Sequence, residues 1–98
     1  RYTEDLKLNF PDGGFLCKLS DEDLAPYVNK LFRAKVKVVS RNPAVLQLSG
    51  HEWPAYIPDD KLYQRFLKIS EETELSLVIK PGFWKGARQL IVEGFLKP

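Results

Sequence analysis

Apolar and polar positions alternate along much of this chain, and the period of the alternation changes several times. Leu6, Leu8 and Phe10 alternate with Lys7 and Asn9, Pro11 to Gly14 break the run, and Phe15 to Leu19 resume it, a pattern that predicts a β-hairpin. Ser20 followed three residues later by Asp23 resembles a helix-start capping box. Leu24, Tyr27, Val28, Leu31 and Phe32 then recur at helical spacing, with Pro26 expected to split the segment into a first turn and a short helix. From Arg33 the period is two: Ala34, Val36 and Val38 face one way and Arg33, Lys35 and Lys37 the other, as in a strand half buried and half in water.

After a turn over Ser40 to Pro43, two further strands are expected at Ala44 to Leu48 and Trp53 to Ile57, joined through Ser49 to Glu52. Leu62, Phe66 and Leu67 give residues 59–67 the pattern of a short amphipathic helix. Glu74 to Lys80 alternate as a strand, Pro81 to Ala87 interrupt, and a last strand is expected over 88–97. The order is ββαβ, ββαβ, β.

The two halves align. A shift of 38 positions pairs Leu8 with Leu46, Phe15 with Trp53, Leu19 with Ile57, Asp21 with Asp59, Leu24 with Leu62 and Val28 with Phe66. One inserted residue then pairs Val36 and Val38 with Leu75 and Leu77. The expected fold is a single α+β domain over 1–98, a small β-barrel-like domain from two ββαβ units, residues 6–39 and 44–80, about a pseudo-two-fold axis, with an extra C-terminal strand at 88–97. Neither half alone could cover its apolar face, so the two are expected to share one core. In element order, over about residues 5 to 80, the chain resembles double-psi β-barrels and the pseudobarrel domains of plant B3-type DNA-binding proteins. Where such barrels often carry a Gly-Asp pair, this chain reads Phe32-Arg33-Ala34 and Glu71-Glu72-Thr73. Residues 15 to 69 are also similar in pattern to the partner-binding barrel domain of a general transcription factor subunit.

Composition narrows the classes. The chain has 98 residues, 44% of them apolar, enough to close a core without disulfides or metal. Its one cysteine, Cys17, has no internal partner and reads as a small buried hydrophobe. The absence of a membrane-spanning run, a signal-peptide pattern and any Asn-x-Ser/Thr site predicts an intracellular protein with no membrane partner. No methionine occurs, so a module of a longer protein is one reading.

Candidate chemistry is sparse. The single histidine, His51, sits in a turn, and its spacing from Cys17 fits no zinc pattern, so no metal or cofactor is expected. Asp21, Glu22, Asp23, Asp59 and Asp60 all fall at helix starts, where backbone N–H groups and the helix dipole attract carboxylates. No nucleophile elbow or phosphate-cradling loop is present, and the chain is read as a non-enzyme. Two windows stand out. Lys30, Arg33, Lys35, Lys37 and Arg41 form an acid-free basic stretch, and Lys80, Phe83, Trp84, Lys85 and Arg88 combine aromatics with cations beside Pro81, Gly82 and Gly86. A basic strand face can meet phosphates, and aromatic residues among cations suit base stacking. The expected function is a non-catalytic binding module for nucleic acid, DNA included, using Lys35, Lys37, Arg41, Lys80, Phe83, Trp84, Lys85 and Arg88. The alternative is a protein-protein interaction module of a larger, transcription-related assembly, and it gains if the two windows lie apart.

Overall fold

A computed structural model describes residues 10–96. Five strands form a closed barrel: β1 (Phe32–Arg41), β2 (Ala44–Leu48), β3 (His51–Tyr56), β4 (Glu74–Trp84) and β5 (Ala87–Phe95), in the spatial order β1-β2-β3-β5-β4. Two short helices, α1 (Asp21–Leu24) and α2 (Asp60–Leu67), complete a compact α+β domain. No helix among the described residues is long and apolar enough to cross a membrane.

The alternation read from β1 holds in three dimensions. Phe32, Ala34, Val36 and Val38 are buried, while Arg33 and Lys35 are exposed. The same rule turns Leu46, Leu48, Trp53, Leu77, Ile79, Leu90 and Val92 inward, and α2 closes one end by inserting Phe66. All neighbouring strands pair antiparallel except β3 and β5, which run parallel. The β2–β3 and β4–β5 hairpins therefore open at the same end of the barrel. Each turns through two residues with positive φ, Ser49 (50°) with Gly50 (81°) and Lys85 (51°) with Gly86 (82°), the type I′ geometry whose twist matches that of the strands.

Both helix starts form as their sequences predict. The Ser20 hydroxyl accepts the Asp23 N–H at 3.1 Å, and the Asp59 carboxylate accepts the Leu62 N–H at 3.0 Å. The short helix expected from Pro26 does not form: Pro26 sits in a 3₁₀ turn, Ala25–Tyr27, that follows α1 directly, and Phe32 opens β1.

Several expectations need correction. Residues 15–19 are not a strand: Gly14–Lys18 is a 3₁₀ turn, held by the Leu16 N–H on the Gly13 carbonyl and the Leu19 N–H on that of Leu16. Coiling lets Leu16 drop fully into the barrel end, which a straight strand leaving that end could not do. The proposed first hairpin arm, Leu6 to Asn9, lies outside the described residues. Residues 44–84 do run ββαβ, but the described part of the first unit holds turns, α1 and one strand, so the two-copy reading is not carried by the fold.

The break expected at Pro81 is absent, because β4 continues to Trp84. The Pro81 carbonyl accepts the Asn29 N–H, so its backbone edge faces away from β5, and it lies past the last β1–β4 pair, Phe32 with Ile79. A proline there removes no ladder hydrogen bond. The last strand begins at Ala87 and ends at Phe95, short of the expected 97.

Candidate interaction surface

The extension of β4 beyond β1 makes the β4–β5 hairpin project from the barrel. Along this extension Pro81 and Gly82 are buried, and Phe83 and Trp84 at the tip are exposed. Trp84 is 63% exposed, the most exposed large apolar side chain among the described residues, and the Lys85 ammonium lies 5.6 Å from the centre of its ring. Phe83 is partly exposed, opposite Arg88. The tip thus presents an indole with a cation beside it on a two-residue turn.

The other candidate residues have partners within the chain. Lys35 pairs with Glu74 at 4.0 Å and Lys37 with Glu72 at 3.4 Å, both across the β1–β4 side of the barrel. Lys80 pairs with Glu93 at 3.4 Å. The Arg41 guanidinium donates to the Leu67 carbonyl at 3.2 Å, capping the end of α2. Carboxylates from distant parts of the sequence thus sit against a basic strand face that looked acid-free when read linearly.

Arg88 turns inward. Its Nε and Nη2 donate to one Asp21 carboxylate oxygen at 3.0 and 2.6 Å, and Nη2 also donates to the Leu19 carbonyl at 2.9 Å. The guanidinium carbon lies 5.3 Å from the centre of the Trp53 ring. Beneath, the Trp53 indole N–H donates to the Cys17 sulfur at 3.2 Å, and the Cys17 thiol donates to the Leu48 carbonyl at 2.9 Å. Burial pushes the Cys17 thiol up, opposed by the Trp53 hydrogen bond and the Arg88 charge. Cys17 is half-buried, packs against the core as its neighbours suggested, and is held there in a polar chain.

The two basic windows meet along the β1–β4 pair, where Arg33 lies opposite Val78, two residues before Lys80, and diverge from there. Lys37 lies opposite Glu74, and Trp84 lies ten positions further along β4. Arg41 is further still, at the far end of β1.

Sequence reading missed Tyr56, 54% exposed at the end of β3. Its parity carried the signal, since Tyr56 lies between Ala55 and Ile57, which face the core. It also missed the edge-to-face cluster of Phe15, Tyr27 and Phe32, with ring centres 5.3 to 6.0 Å apart, since these rings come from three separate elements. Compared with known proteins, the chain matches no family model, no curated sequence and no solved structure.

Proposed function

We propose that this chain is a non-catalytic protein-interaction module whose anchor is Trp84 at the tip of the β4–β5 hairpin. The supporting observation is the exposure of that indole at the end of β4, next to the two-residue turn and beside Lys85. A large aromatic left in water is costly unless a partner covers it, and tryptophan is prominent among interface residues whose truncation costs most. Because the tip is convex, the partner supplies a pocket for the indole and a carboxylate or carbonyl for the Lys85 ammonium.

Nucleic acid is the less favoured ligand. Binding a phosphate backbone releases counterions in proportion to the cations that replace them. Lys35, Lys37, Lys80 and Arg88 already face carboxylates of this chain, which lowers the number of cations left to replace counterions.

The test is photocrosslinking from a benzophenone amino acid at position 85 of the full-length protein in its host cells, followed by titration of the purified crosslinked partner. A protein partner whose affinity falls at least about tenfold on Trp84→Ala, the scale of a hot-spot truncation, supports the reading. Crosslinks to nucleic acid, or a partner bound equally by Trp84→Ala, would overturn it.

A further inference from the structure

We propose that the barrel contains a gated seam between β3 and β5, latched shut by Arg88 on Asp21. The seam is the shortest contact in the sheet. Strands β4 and β5 share eight paired positions and β1 and β4 share six, but β3 and β5 share two, Ala55 with Leu90 and Tyr56 with Ile91. Toward the hairpin end the ladder stops, and His51–Pro54 of β3 and Ala87–Gln89 of β5 have no pairing with each other.

Side chains close that half of the seam. Arg88 reaches from β5 across the Trp53 ring of β3 and is fixed beyond it by Asp21 and the Leu19 carbonyl, on the segment that enters α1. Under this clasp lies Cys17, bonded to Trp53 and to the Leu48 carbonyl at the end of β2. One guanidinium therefore joins the two strands that the backbone leaves apart and pins the 3₁₀ turn and α1 over the opening. Its partner carboxylate is mostly exposed, so water and salt compete for the contact. Apart from the weak sulfur hydrogen bonds of Cys17, the rest of the seam is held by backbone ladders and apolar packing, so release of this clasp opens the seam without unfolding the barrel. An open seam exposes the Trp53 indole and the Cys17 thiol.

This inference does not depend on the role given to Trp84. Cys17, as the one cysteine, reports it. The reagent is iodoacetamide, which is neutral: the Cys17 thiolate attacks its methylene carbon, the S–C bond forms as the C–I bond breaks, iodide leaves with the electron pair, and the thiol proton goes to buffer. The direction of the result is informative, because the Arg88 charge favours the thiolate and its removal alone would slow alkylation. Under native conditions Arg88→Gln should alkylate about tenfold faster than the parent, the factor expected for losing a charge-assisted contact. Asp21→Asn should also react faster, and added salt should speed the parent but not Arg88→Gln. Leu77→Ala, which weakens the core far from the seam, should not match Arg88→Gln at equal fraction folded. Unchanged reactivity in Asp21→Asn and Arg88→Gln would overturn the proposal, as would equal acceleration in Leu77→Ala, since exposure would then follow global unfolding. If Arg88→Gln does not fold, Asp21→Asn and the salt series decide.

Discussion

Cys17 shows how far a residue's behaviour depends on neighbours remote in sequence. Its thiol sits between the Leu48 carbonyl and the Trp53 indole, within reach of the Arg88 charge. Burial pushes it above its ordinary value of 9.0, outweighing those two opposing influences. The folded protein therefore holds this proton more tightly than the unfolded chain does. The resulting stability is complete below the unfolded thiol value and is lost as pH rises through the folded one. Urea midpoints of the parent and Cys17→Ala, measured from about pH 7 to about pH 10, should differ most at the lower end and converge upward. Parallel curves would show that the thiol is not shifted. Arg88 is the other instructive residue: its composition-based role was ligand contact, whereas its geometry makes it a clasp.

At the scale of elements, local chemistry was legible where it is stereotyped. Ser20 and Asp59 announced their helix starts, and both cap as expected. Asp59→Ala should cost about 1 kcal/mol in denaturant unfolding, by leaving an N–H of α2 without its partner. The turns were harder to read. Ser49-Gly50 and Lys85-Gly86 lack the Asn-Gly or Asp-Gly sequence that usually marks a type I′ hairpin, and Pro81-Gly82 offered a false break just before the true turn. Lys85 holds φ near 51°, a conformation asparagine tolerates better, so Lys85→Asn should raise stability by about 0.5 kcal/mol. An unchanged or lowered unfolding midpoint would count against the type I′ assignment at this turn.

At the scale of the whole molecule, the barrel closes through pairings between residues far apart in the chain, and its described core is one apolar cluster with no buried polar side chain. With one core and no independent unit, unfolding should be two-state: in a Trp84→Phe background, loss of Trp53 fluorescence and of far-ultraviolet circular dichroism should coincide in urea. Separated transitions would mean that α1 and its turns detach first. The amino-acid sequence by itself determined the strands β1, β2 and β3, the helix α2, the two helix starts with their capping, and the inward face of β1, because burial on one face imposes a period of two or 3.6 on nearest neighbours. Only the tertiary structure decided that residues 14–18 coil instead of extending, that Lys35 and Lys37 meet Glu74 and Glu72, that Arg88 reaches Asp21, and that Trp84 is left in water. Those outcomes depend on strand order and register, which bring together residues dozens of positions apart, and no local period records which distant strand a given edge will meet.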